Sequence, residues 1–132
     1  MIDFLEKKRW VSIILALLIA IEIFYFSSIN AKSTGKIEIN FIPIIYHFSV
    51  FFLLNFFLFV SIKGQNELKV KHLLFVLAIS ILYSLSDEFH QMFVPGRDAS
   101  IFDILTDTSG IFISSMIYVY SQRKKPIKNN KI

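Results

Sequence analysis

The fold class this chain predicts is all-α, an integral membrane bundle of four transmembrane helices, and three observations carry that expectation. The 132 residues are 55% hydrophobic, include 15 phenylalanines and reach a mean hydropathy of +0.60, far from the ordinary soluble mix. The apolar residues gather into four stretches, each close to the roughly 20 residues a helix needs to cross a hydrocarbon core. The basic residues collect at alternate ends of those stretches, as membrane topology requires. A small soluble helical bundle with an apolar core is the competing and weaker reading.

The first stretch, residues 10–29 (WVSIILALLIAIEIFYFSSI), follows Lys7, Lys8 and Arg9 and so imitates a secretory signal. Its apolar run is longer than the 7–15 residues typical of a signal core, and no A-x-A-like site follows Ser27 and Ser28. It reads as an uncleaved first span. Residues 41–62 (FIPIIYHFSVFFLLNFFLFVSI) form the second span, with Asn55 at mid-membrane as an interhelical hydrogen-bonding group. The third, residues 72–93, is purely apolar only from Leu73 to about Leu85, so its end is amphipathic. The fourth covers residues 101–121 (IFDILTDTSGIFISSMIYVYS). Residues 1–122 are thus expected to form one four-helix domain, and residues 123–132 a basic cytoplasmic tail.

Charge sets the orientation. Lys7, Lys8 and Arg9, then Lys63, Lys69 and Lys71, then Arg123, Lys124, Lys125, Lys128 and Lys131 lie at one face of the membrane, leaving Lys32, Lys36 and Arg97 at the other. The rule that cytoplasmic loops carry the positive excess puts both termini inside. A sequence pI near 9.4 does not imply a nucleic-acid partner, because the basic residues sit where topology needs them. With no cysteine in the chain, disulfides and thiolate metal sites are excluded.

The acids are skewed the other way: Glu22, Glu38, Asp87, Glu88, Asp98, Asp103 and Asp107 belong to the outer half. Asp87, His90 and Gln91 are spaced i, i+3, i+4 and share one helical face, continued inward by Ser84 and Ser80. Glu88 points about 100° away, toward the headgroups. Asp103, Thr106, Asp107 and Gly110 form a similar face on the fourth span. The turn Val94-Pro95-Gly96-Arg97 makes the two helices antiparallel neighbours. Ionisable groups within a span usually face the bundle interior or a wet cavity, so the two faces should meet in an outward-opening polar pocket, with His47 and either Glu22 or Ser27 on its wall. Plainer roles stand beside these. Ser100 with Asp103 resembles a capping box, Pro95 and Gly96 are ordinary turn residues, and Arg97 can pair with Asp98 or Glu88 at the headgroups.

These residues carry a resemblance. Asp87-Glu88-Phe89-His90-Gln91, then Phe93-Val94-Pro95-Gly96-Arg97, then Asp103 and Gly110, resemble the signature of the VanZ-like family, supported by Phe26-Ser27-Ser28 and His47-Phe48. The chain departs from that pattern at Ser49-Val50-Phe51, where the family often has tyrosine, and at Asp107, where it often has asparagine. The resemblance implies a four-helix, multi-pass protein of the bacterial cytoplasmic membrane, related to proteins linked with low-level resistance to teicoplanin-type glycopeptide antibiotics. It implies no reaction.

Two functional readings follow. In the first, the pocket binds or modulates an envelope component: a lipid-linked cell-wall precursor, a teichoic acid or the glycopeptide itself. Arg97 would grip an anion near the start of the fourth helix, with Asp87, Glu88, His90, Gln91, Asp103, Asp107 and His47 as further ligand-binding residues. In the second, a membrane-embedded hydrolase or transferase uses Asp87 and His90 as a base and its partner, or a divalent cation held by Asp87, His90, Asp103 and Asp107. No nucleophile elbow, phosphate-cradling glycine loop or H-E-x-x-H motif is present. Membrane lipids are partners in either case.

Overall fold

Helices account for all the secondary structure in the computed structural model, which describes residues 1–29, 41–97 and 99–124. They are α1 (Ile2–Lys7), α2 (Arg9–Ser27), α3 (Phe41–Lys63), α4 (Val70–Gln91) and α5 (Ile101–Arg123), with no strand among the described residues. Lys32, Lys36 and Glu38 of the first loop, Asp98, and the tail from Lys125 onward lie outside the described residues.

Three helices, α2, α3 and α4, are long and apolar enough to cross a membrane. The fourth expected span coincides with α5, which has the length, at 23 residues, but a more polar sequence: Asp103, Thr106, Asp107, Thr108, Ser109, Ser114 and Ser115 interrupt it. The surface has the pattern expected for lipid. On α2 the buried residues are Ser12, Ala16, Ile23 and Ser27, whereas Trp10, Leu17, Leu18, Ile21, Phe24 and Tyr25 are exposed. Small residues inside and large apolar ones outside is the arrangement that lets helix backbones approach each other in a bilayer. In water the same face would be an aggregation hazard.

α3 is the hub. It packs against all four other helices, most extensively against α5, while α4 touches α2, α3 and α5, and no contact between α2 and α5 occurs among the described residues. The close approach of α3 and α5 depends on Gly110. A Cβ there would lie 2.5 Å from the Phe48 carbonyl oxygen, well inside van der Waals contact. Two apolar clusters fill the bundle. Ala16, Ile23, Val50, Phe51, Leu54 and Ile111 form one; Leu5, Phe59, Val60, Val76 and Tyr118 form the other. Asn55, fully buried, ties three helices as expected: its amide donates to Ile111 O at 3.2 Å and Ser115 Oγ at 2.9 Å, and its Oδ1 accepts from Ser80 at 3.0 Å.

The short helix α1 was not anticipated. A break at Lys8 (φ −104°, ψ 59°) separates it from α2. It carries Leu5 into the second apolar cluster and Glu6 into a buried polar one. Glu6 Oε1 lies 3.2 Å from Lys63 Nζ and accepts from Tyr118 Oη at 2.8 Å and Gln122 Nε2 at 2.6 Å. Acid and base are both almost fully buried. At the opposite end of the bundle, Pro95 and Gly96 (φ +80°) close a turn in which Arg97 N donates to Val94 O at 3.1 Å. Proline followed by a positive-φ glycine is the type II pattern, and it folds Arg97 back over the bundle.

Candidate functional site

At the end of the bundle capped by this turn, α4 presents Ser84, Asp87, Glu88 and Gln91 to the interior. Gln91 Nε2 donates to Asp87 Oδ2 at 2.9 Å, and Asp87 is 6% exposed. Glu88 is 3% exposed. The expectation that Glu88 faces the headgroups is therefore corrected: its Oε2 accepts from Ser100 N at 2.8 Å. His90 is the counterpart correction. It leaves the shared face, its Nε2 lies 3.0 Å from Ser28 Oγ, and its ring stacks on Phe24 at 4.9 Å. The reason is angular. At 100° per residue, Glu88 and His90 lie roughly 70° and 90° either side of the stripe formed by Ser80, Ser84, Asp87 and Gln91. Glu88 falls on the flank that meets the start of α5, His90 on the flank that meets α2.

The capping of α5 is shared between helices. Ser100 Oγ accepts from Phe102 N and Asp103 N, the expected half of a capping box. The reciprocal half is supplied by Glu88 of α4, on the Ser100 N–H, so the Asp103 carboxylate is not used for it and sits half-buried beside the cluster.

Asp107 is fully buried. Its Oδ1 lies 3.0 Å from His47 Nδ1, and its Oδ2 accepts from Ser84 Oγ at 2.8 Å. A serine of α4, an aspartate of α5 and a histidine of α3 thus form one chain. His47, 6% exposed, was expected on the pocket wall and proves to be the centre of the cluster. His47, Glu88 and Asp107 bring one ligand atom each to within 4.8 Å of one another. Of the cation ligands expected from sequence, Asp107 alone belongs to that set; Asp87, His90 and Asp103 do not.

Beside this cluster opens a cavity of about 290 Å³, bounded on its polar side by His47, Asp87, Gln91 and Arg97, with Tyr46 and Ser27 adjoining and Ile23, Val50 and Phe51 beneath. Arg97 is partly committed to structure. Its Nη2 donates to Phe26 O at 2.8 Å and its Nε to Ile29 O at 3.3 Å, two carbonyls at the C-terminal end of α2. A guanidinium has five N–H donors, so several remain for the cavity. Tyr46, which sequence reasoning passed over, has a buried hydroxyl with no hydrogen-bonding partner among the described residues. Glu22 is exposed and lies off the cavity wall.

Asp87, Gln91, Arg97, His47 and Ser27 therefore share the cavity; Glu88 and Asp107 are sealed behind His47, Asp103 lies at the rim of that cluster, and His90 is displaced toward α2. Chemically, the arrangement offers a cation, a carboxylate, an imidazole and a phenol around a space with an apolar floor. Against curated proteins and against solved structures the chain finds no significant match. The family model described as VanZ/LLP1 matches residues 10–122, a span that includes every residue of the cavity and of the buried cluster. The chain is a member of the VanZ/LLP1 family.

Proposed function

We propose that this protein spans the bacterial cytoplasmic membrane four times, with both termini and the basic tail in the cytoplasm, and binds the headgroup of an anionic envelope component in the cavity beside Arg97. The cavity carries the reading. At about 290 Å³ it is at the lower edge of the roughly 300–1,000 Å³ usual for small-molecule sites. It suits the phosphate-bearing head of a lipid-linked cell-wall precursor or teichoic acid, and a whole glycopeptide antibiotic is much too large for it. Protection against a teicoplanin-type glycopeptide is then a consequence of holding or altering that component. The remaining guanidinium N–H groups and the Tyr46 hydroxyl would receive phosphate oxygens, while Ile23, Val50 and Phe51 take the first part of a lipid tail.

The test is binding of a polyprenyl pyrophosphate to the protein in lipid nanodiscs, alongside glycopeptide susceptibility of cells carrying it. Arg97→Ala and Tyr46→Phe should each weaken binding at least about tenfold, equivalent to about 1.4 kcal/mol. Equal binding by wild type and Arg97→Ala would reject the reading.

One observation favours an enzymatic variant. His47 lines the cavity while its Nδ1 is engaged by Asp107, an arrangement that orients an imidazole as a general base. In that reading the protein is a hydrolase or transferase acting on the same lipid-linked class, with His47 in the role the sequence assigned to His90. Turnover of the polyprenyl pyrophosphate that vanishes in His47→Gln while binding persists would separate catalysis from recognition.

A further inference from the structure

The cluster behind the cavity wall holds more negative charge than the surrounding side chains neutralise. Asp87, Glu88 and Asp107 are all at or below 6% exposure. Among the described residues, the positive or chargeable groups facing them are His47 and Arg97, and Arg97 directs two N–H donors to the end of α2. Uncompensated carboxylates in a low-dielectric interior are costly. Three protons could remove the charge, or a cation could balance it.

The geometry favours a cation. His47 from α3, Glu88 from α4 and Asp107 from α5 present ligand atoms within 4.8 Å of one another. Both carboxylates of this set are already held by their other oxygen: Ser84 donates to Asp107 Oδ2 at 2.8 Å, and Ser100 N donates to Glu88 Oε2 at 2.8 Å. Orientation of a ligand through its other polar atom is the usual outer-shell arrangement at metal sites. The remaining Glu88 oxygen, Oε1, is buried and has no hydrogen-bonding partner among the described residues. An orphaned acceptor at this depth calls for a partner.

We propose that His47, Glu88 and Asp107 bind a divalent first-row transition-metal ion at the junction of α3, α4 and α5. One imidazole with two carboxylates suits Mn²⁺ or Zn²⁺ better than Ca²⁺ or Mg²⁺, which favour all-oxygen sets. The 3.0 Å separation of His47 Nδ1 and Asp107 Oδ1 fits two ligands subtending about 90° at an ion roughly 2.1 Å from each. That is an octahedral edge, which favours Mn²⁺. The ion takes the place of the proton between His47 and Asp107 and joins three helices. The proposal does not depend on a ligand in the cavity.

The experiment is elemental analysis of the detergent-purified protein, followed by chelator stripping and titration with Mn²⁺ and Zn²⁺, read by thermal unfolding. Wild type and His90→Asn should each carry about one equivalent of one of these metals, and the stripped protein should melt at higher temperature as metal is restored. Glu88→Gln, nearly isosteric, should carry less than about a tenth of an equivalent and show no such shift. Helical circular dichroism and gel filtration establish that the variant is folded; if it is not, the titration of stripped wild type decides alone. A wild-type protein that is isolated without metal and does not respond to millimolar Mn²⁺ or Zn²⁺ overturns the proposal, leaving shared protons as the answer. Full metal retention by folded Glu88→Gln overturns it equally.

Discussion

Replacing Asp107 tests how much of the bundle's stability runs through the buried polar chain. The carboxylate is wholly buried and accepts from Ser84 at 2.8 Å while lying 3.0 Å from His47 Nδ1. Two neutral interhelical hydrogen bonds in a membrane protein are worth little, near 0.6 kcal/mol each on average, so about 1 kcal/mol together. Leaving the partners unsatisfied in the interior is costlier, roughly 1–3 kcal/mol for each polar group. Asp107→Ala leaves both the Ser84 hydroxyl and His47 Nδ1 without this partner and is therefore expected to lose about 3 kcal/mol or more. Asp107→Asn keeps an acceptor for Ser84 and a donor for His47 and should lose about 1 kcal/mol. Both are measured by reversible unfolding in mixed detergent micelles containing chelator, followed by far-UV circular dichroism and by the fluorescence of Trp10, the chain's only tryptophan. If the alanine and asparagine variants are equally stable and both close to wild type, the chain of Ser84, Asp107 and His47 does not hold the helices together, and the argument fails.

Three further outcomes follow from the geometry. Gly110→Ala must push α3 and α5 apart, since its Cβ would meet backbone at 2.5 Å; a loss of about 1–3 kcal/mol in the same unfolding assay is expected, and a neutral result would refute the close approach. Lys63→Met should cost about 3 kcal/mol by removing the buried cation beside Glu6, whereas Lys63→Met combined with Glu6→Gln should recover much of it; additive losses would count against the pairing. Arg97→Ala loses two hydrogen bonds to the end of α2 at a partly exposed site, so about 1 kcal/mol or less, and the variant should accumulate in the membrane while failing to bind pyrophosphate; Arg97→Lys, without the planar fork, should bind poorly too.

Most of the scaffold was legible in the sequence because lipid imposes a simple rule. A span must be long and apolar; the four runs match helices α2 to α5 within a few residues at each end, and α2, α3 and α4 meet that rule. The turn chemistry of Pro95 and Gly96 and the serine cap of α5 were equally readable, being local. The site was readable only in part. Helical spacing put Asp87, His90 and Gln91 on one face, and the structure keeps Asp87 and Gln91 there, joined at 2.9 Å. The spacing chose His90 for that face and turned Glu88 away, and the structure reverses the two; both flank the stripe almost symmetrically, and which flank meets α5 is a tertiary fact. The same limit hid His47 as the hub, since its partner Asp107 is 60 residues away. Glu6 was missed for a different reason. It lies ahead of the first apolar run, among residues that looked like a basic flank, and is buried by tertiary contacts with Lys63 of α3 and with Tyr118 and Gln122 of α5.

The distribution of buried charge bears on what the protein is for. A bundle of this size has apolar clusters at both levels and could pack there with leucine or phenylalanine instead of acids. Replacing a buried ionic group by a well-packed apolar one is often neutral or stabilising, so stability alone gives no reason for Asp87, Glu88, Asp107 and His47 to converge. The two buried ionic clusters also differ in kind. Glu6 at the other end is matched by Lys63 at 3.2 Å and by two further donors. That cluster is closed. The one formed by His47, Glu88 and Asp107 leaves an acceptor without a hydrogen-bonding partner among the described residues, and backs onto a cavity whose own wall carries Asp87, Arg97 and the Tyr46 phenol. Ionisable groups within membrane spans mark pathways and sites more often than struts. The matched pair at one end is the strut here, and the unmatched acids at the other are the place where a cation and a headgroup have reason to bind.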